Sequence, residues 1–296
     1  MNLNQVKTDH TQRELSPHGT PEFPFQINHD NLYSYYEQYI RCHWHEELEI
    51  PVVVSGSVRC HVRNKNIILR ENQGIFINSK VPHSFFPLSK EEPRMLTVIF
   101  HPSLLYGTLS NVVYARYVFP YTNDSNAAGI LLSDQSVHIV KEMDQLYDSK
   151  SFGYELRIQS LLCSFFAEQL TSLQDTLQVS PPVRKQTLSR MDNLLNALHM
   201  QYNQKLDLSE LAHTLSLSKE GCCRLFKKMT GQTISQYLED YRISQSLKLL
   251  RESPHNITQI SYMVGFSNPG RFSVAFKKRM DCTPKEYRQQ ISKGLF

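Results

Sequence analysis

The 296-residue chain has no apolar run near the roughly 18 residues that cross a membrane, which argues against a membrane partner. Its N-terminal stretch, MNLNQVKTDHTQRELSPHGTPEFPFQ, lacks the apolar core of a secretion signal, so a cytoplasmic, reducing setting is expected. The six cysteines (Cys42, Cys60, Cys163, Cys222, Cys223 and Cys282) show no C-x-x-C spacing, which removes the common zinc-cysteine sites. Adjacent Cys222 and Cys223 lie in a helical pattern and speak against an extracellular disulfide framework. G-x-S-x-G, the P-loop and G-x-G-x-x-G are all missing, so no nucleophile elbow or nucleotide-phosphate loop is indicated. No cofactor is called for by any of these motifs.

What is present is an ordinary globular composition, 40% hydrophobic and 20% charged, at a length that suits two domains. The net charge of +4 conceals an asymmetry. From Pro181 onward there are 18 Lys and Arg against 9 Asp and Glu; before it, 14 against 19. A basic back half is the electrostatic footprint of a polyanion binder, although a well-solvated surface gives the same count.

Residues 1–25 are polar and proline-bearing and read as a flexible arm. From 30 to 100, β-rich stretches (EIPVVV, SVRCHV, NIILR, GIFIN, MLTVIF) alternate with turn signals at 55–57, 63–66 and 71–74. Short strands at this spacing predict an antiparallel sandwich or barrel. Residues 101–130 show no single period. From 134 to 175 the spacing becomes helical, with Leu156, Leu161, Leu162, Phe165, Phe166 and Leu170 on one stripe that is either core or a dimer seam. The proline-bearing QVSPPVRKQ, 178–186, is the expected linker. The rest, 187–296, reads as seven helices. Asp207 or Ser209, Ser218, Asn256, Asn268 with Pro269, and Thr283 with Pro284 supply the starts.

The helical half repeats itself. At an offset of 50, Phe226-Lys227-Lys228 falls on Phe276-Lys277-Lys278, Thr233 on Thr283 and Tyr237 on Tyr287. Slightly upstream the offset is 49, and Ser216 falls on Gly265. Cys222, Leu225, Phe226 and Met229 form the apolar stripe of one helix, and Phe272, Ala275 and Phe276 that of its counterpart. The outward residues are then Glu220, Gly221, Arg224 and Lys228 in one copy and Gly270, Arg271, Val274 and Lys278 in the other. Small and cationic residues on the second of two short-linked helices suit entry into a major groove. Arginine can pair with guanine O6/N7 and valine can pack on a thymine methyl, while lysines hold phosphates. The 20 or so residues between the copies make a rod of about 30 Å, close to one turn of duplex DNA. One such unit reads equally well as a plain bundle with solvated lysines; two copies on a basic half favour double-stranded DNA.

Residues 187–291 resemble the DNA-binding domain of the AraC/XylS family of bacterial transcription regulators. The closing signature is met by ITQISYMVGFSNPGRFSVAFKKRMDCTPKEYR, 257–288. Ser216 departs from the usual glycine and Val274 from a frequent arginine. The resemblance implies base contacts from Glu220, Gly221, Cys223 and Arg224, and from Gly270, Arg271, Ser273 and Val274. Lys219, Lys227, Lys228, Asn268, Lys277 and Lys278 flank them as further DNA-binding candidates. It also implies promoter DNA and RNA polymerase as partners, a homodimer, and an activator's role.

In the front half, His43, His45, Glu49 and Gly56 form H-x-H-x3-E-x6-G, which resembles the first cupin motif. Gly74 and His83 resemble a degenerate second. The fold expected is therefore α+β: a cupin-like antiparallel β-barrel followed by helices (26–177), and an all-α domain with two helix–turn–helix units (187–296). In metal-binding cupins the matching residues hold a metal, so His43, His45, Glu49 and His83 are candidate ligands; imidazole with carboxylate suits iron or manganese. Alternation along one strand is expected to point His43, His45 and Glu49 the same way. A metal-dependent cupin enzyme and an effector-binding module both fit these residues. Sensors of the AraC type use the barrel for a small molecule, often a sugar, usually without metal, and the attached DNA-binding half favours an effector site at the same four residues. A regulator that has lost its ligand is a further alternative. His138, His199 and His213 are expected to be ordinary surface groups.

Overall fold

The computed structural model describes residues 4–20, 22–88, 92–124, 127–173, 185–230, 232–280 and 282–292. Most of the expected linker lies outside them. The chain divides into two compact units, Met1–Pro182 and Val183–Phe296.

The first unit carries nine strands among its described residues: β1 (Phe25–Asn31), β2 (Ile40–His43), β3 (Leu48–Ser55), β4 (Ser57–Val62), β5 (Lys65–Arg70), β6 (Ile75–Ile77), β7 (His83–Pro87), β8 (Arg94–Phe100) and β9 (Gly129–Leu131). They form two antiparallel sheets, ordered β1-β8-β3-β6-β9 and β2-β7-β4-β5. The expected antiparallel sandwich or barrel thus takes the form of two facing sheets. Val53, Ile75, Ile77 and Met95 of one meet Val58, Cys60, Val62, Leu69 and Phe85 of the other in a single buried cluster.

The other face of the larger sheet is also covered. Two short helices, α1 (Ser103–Tyr106) and α2 (Phe119–Thr122), precede the long α3 (Asp134–Ser149) and α4 (Tyr154–Ser172). Phe76 stacks on Tyr121 at 5.4 Å and meets Phe165 and Phe166 of α4 edge-on. Burial on both faces explains why β3 reads as a continuous apolar run from Ile50 to Val53 after Glu49. Ser133 caps α3 by accepting from the Ser136 amide.

The N-terminal segment corrects an expectation. Residues 4–20 are fastened to the unit rather than loose. Asn4 bridges Tyr35 and Arg13 bridges Trp44. The Trp44 indole donates to the Thr11 carbonyl at 2.9 Å. Gly19, at φ 76°, turns the chain where an added Cβ would lie 2.4 Å from the Phe25 nitrogen. Proline and polarity suggested looseness, but backbone hydrogen bonding to Trp44 holds the segment.

The second unit is all helix: α5 (Lys185–Met200), α6 (Leu208–Thr214), α7 (Lys219–Thr230), α8 (Ile234–Glu252), α9 (Ile257–Met263), α10 (Pro269–Met280) and α11 (Pro284–Ser292). Asp207 caps α6. Thr233 with Gln236 and Asn256 with Gln259 form capping boxes at α8 and α9. The repeat is visible in the lengths. α6 and α9 have 7 residues each, and α7 and α10 have 12. Ser216 (φ 54°) and Gly265 (φ 90°) hold the same left-handed turn, as the 49-residue offset predicts. Phe266, Phe272, Phe276 and Tyr287 join Ile243 and Leu250 of α8 in the core of the second copy. His199 is not the surface group expected: it is half-buried, stacked on Tyr241 at 4.4 Å.

Candidate functional site

The second unit presents α7 and α10, two matched helices each with a buried apolar face and basic residues in its last turn. On α7, Cys222 and Phe226 are buried, while Lys219, Glu220, Cys223, Arg224, Lys227 and Lys228 are exposed and Gly221 is half-buried. On α10, Phe272, Ala275 and Phe276 are buried. Gly270, Arg271, Val274, Lys277 and Lys278 are exposed, Asn268 is exposed just before the helix, and Ser273 is half-buried. Ser273 spends its hydroxyl on the Pro269 carbonyl at 3.0 Å. Asn268 accepts from the Gly270 and Arg271 amides, so its side-chain oxygen fixes the start of the helix. Ser218 does the same for α7 through the Gly221 amide. Val274 is 71% exposed, which leaves a large apolar side chain in the middle of a polar face.

In the first unit, four residues named by the cupin-like spacing converge. His43, His45, Glu49 and His83 are all buried, and one ligand atom from each lies within 4.8 Å of the others. The expected mechanism of convergence is corrected. No single strand carries them: His43 ends β2, His45 lies in the connection, and Glu49 sits on β3. His43 pairs with His83 across the sheet. A register shift between Ile40 and His43 adds a residue, so both face inward opposite Phe85 and His83. Glu49 shares the inner face with Val53 by alternation.

His45 Nε2 and His83 Nε2 each stand 2.8 Å from Glu49 Oε2. The rings of His43 and His83 meet at 4.3 Å. Burial alone would raise the Glu49 carboxyl, but the His83 charge and contacts with His45 and His83 hold it well below its usual range. Burial, with His83 beside it, pushes His43 down to about 4. For His83, burial works downward, but Glu49 outweighs it and the ring is raised. Sequence reasoning missed two neighbours from the N-terminal segment. Glu14 Oε2 lies 3.6 Å from His43 Nε2 and 3.3 Å from His18 Nε2. The His18 ring lies 5.1 Å from that of His45.

A separate cavity of about 570 Å³ is lined by Leu105, Val113, Arg116, Tyr117, Phe166 and Leu170, among others. It was not legible in 101–130, whose residues show no period.

A buried histidine–glutamate cluster in one unit and a repeated pair of helix–turn–helix units in the other point to a DNA-binding protein with an attached binding module. The sequence bears this out. Residues 32–166 match the AraC-like ligand binding domain and residues 211–290 a helix-turn-helix domain. The chain is 30% identical over 291 residues to an uncharacterised HTH-type transcriptional regulator, YdeC, of Bacillus subtilis (strain 168), covering 96% of this chain and 98% of that one. It is 24% identical over 269 residues to the HTH-type transcriptional activator RhaR of Mannheimia succiniciproducens, covering 88% and 91%. In fold it is similar to apo ToxT from Vibrio cholerae, with a TM-score of 0.53 at 15% identity, covering 89% of this chain and 96% of that one. This chain belongs to the AraC/XylS family of transcriptional regulators. It joins a ligand-binding domain to a helix-turn-helix DNA-binding domain.

Proposed function

We propose that the chain is a cytoplasmic, homodimeric activator that binds promoter DNA through α7 and α10, engages RNA polymerase, and is controlled by an effector in its first unit. The observation that carries this reading is the pair of matched helices, each with one face buried and one face cationic. No described helix is long and apolar enough to cross a membrane. Leu156 is 73% exposed and Cys163 is exposed on α4, which suits that helix to a dimer seam. The first unit is read as a binding module rather than an enzyme, because the relatives are named as regulators. Residues 178–186 are read as the linker across which the two units communicate. An effector must bind two arrangements unequally to shift their balance.

Capture and sequencing of genomic fragments by the full chain, followed by binding to the recovered site, tests this. One enriched sequence protected over two adjacent major grooves is the expected result. Binding equal on that site and on random DNA at matched salt would overturn it.

The input site is read as the cluster of His43, His45, Glu49 and His83. A sugar has no room among groups whose donor atoms lie within 4.8 Å. The 570 Å³ cavity has the size that organic ligands fill, and Arg116 on its wall suits an anionic group. Filling it with Ala167→Trp abolishes the response if the effector is organic, and leaves a response through the cluster intact.

A further inference from the structure

The cavity of about 570 Å³ lies in the helical layer of the first unit, and none of the four clustered residues, His43, His45, Glu49 and His83, lines it. One wall is α4, through Phe166, Ala167 and Leu170; the facing wall is the segment around Arg116 and Tyr117. That facing segment has an uncommon backbone. Tyr114–Val118 is a π-helical turn, closed by the Phe119 amide donating to the Tyr114 carbonyl. Turns of this kind are rare and are frequent at functional sites. Here the turn buries Tyr114 and Val118 as anchors and leaves Arg116 and Tyr117 on the cavity wall.

The chemistry of the wall narrows what fits. Among the described residues Arg116 is the one charged group lining the cavity, and no carboxylate pairs with it. Its guanidinium rests over the Tyr117 ring, 5.8 Å from the centroid. The Thr171 hydroxyl already donates to the Ala167 carbonyl at 2.9 Å. Partial burial pushes the Cys163 thiol up, which keeps it neutral. Most of the remaining wall is apolar. A sugar brings many hydroxyls, and burying them without partners is costly. A ligand with several charges would leave all but one unpaired beside apolar side chains. One guanidinium fork matches one carboxylate.

We propose that this cavity binds an organic monocarboxylate with an apolar body, its carboxylate on Arg116 and its body against Phe166, Ala167 and Leu170. The inference rests on reading the first unit as a binding module, and it gives that unit a second site, separate from the histidines.

Cys163 allows a test on the unaltered full chain. It is exposed on the cavity wall, and Cys223, exposed on α7, is the internal control. Alkylation of both by iodoacetamide is followed by mass spectrometry with 2-naphthoate or octanoate, with the matching neutral alcohols, and with glucose. The expected result is slower alkylation of Cys163 with either acid, no change at Cys223, and no effect of glucose. Calorimetry is expected to show binding of both acids weakened about 10- to 100-fold by Arg116→Gln. Arg116→Lys, which keeps the charge but not the fork, is expected to lose less. Ala167→Trp fills the space and removes binding. Uptake unaffected by Arg116→Gln, or shared equally by the neutral alcohols, overturns the proposal. So does the absence of both protection and heat with either acid; if dilution to single chains then speeds alkylation of Cys163, the wall is a seam between two copies. Gel shifts on the same samples separate the two readings. Operator-specific DNA binding without uptake removes this site alone, and uptake without operator preference removes the regulator and leaves the site.

Discussion

At the scale of single residues, backbone strain gives the sharpest predictions. Ser216 occupies a left-handed conformation that disfavours side chains, at φ 54°. Ser216→Gly is expected to stabilise the second unit by up to about 1 kcal/mol, read as a raised melting temperature. Gly265→Ala runs the other way. An added Cβ would lie 2.7 Å from the Asn203 Cα at φ 90°, and backbone cannot easily yield. A loss of more than about 1 kcal/mol is expected in denaturant unfolding. Phe76→Ala removes the ring packed between Tyr121, Phe165 and Phe166, and should cost about 3–5 kcal/mol in the first unit. Motif spacing, a local property, singled out His43, His45, Glu49 and His83, and the fold brings the four together, although not along one strand as alternation suggested. Glu14 and His18 were not legible, because RELSPH (13–18) has no period and its position depends on backbone bonding of Glu14 to the distant Trp44.

At the scale of elements, α7 and α10 divide their work by chemistry. Arg224→Ala is expected to relax preference at one base pair and cost about 1–3 kcal/mol on the operator. Lys228→Ala should weaken operator and random DNA alike and flatten the salt dependence by about one unit. Quantitative gel shifts across a salt series distinguish the two; equal losses on both DNAs for Arg224→Ala would remove its base-reading role. Helices were the most legible elements, because Asp207, Ser218, Asn256 and Asn268 announce their starts through local hydrogen bonds. Strands β3, β4, β5, β6 and β8 were equally plain from their apolar runs. β1, β2, β7 and β9 were not. FQINHDN and HSFFP are mixed in polarity and IRCH and GIL are short, so their strand character comes from pairing partners rather than from their own residues.

At the scale of the whole chain, the two units have separate cores. A chain beginning at Val183 is expected to keep its preference for the operator over random DNA, as gel shifts on the two DNAs at matched salt would show. The division itself was legible in the charge balance and in the proline-bearing stretch at 178–186. The way the first unit covers both faces of its larger sheet was not, because it depends on α4 folding back onto Phe76.

The two copies of the helix–turn–helix are alike in length but not in content. Arg224 in the first corresponds to Val274 in the second, and five residues, 264–268, join α9 to α10 where four, 215–218, join α6 to α7. On the proposed reading a single chain carries two unlike heads in a fixed order, and the sequence it recognises has a front and a back. Turned end for end in front of a gene, the same stretch of DNA would point the protein away from the start of transcription, so orientation as well as sequence decides which gene answers.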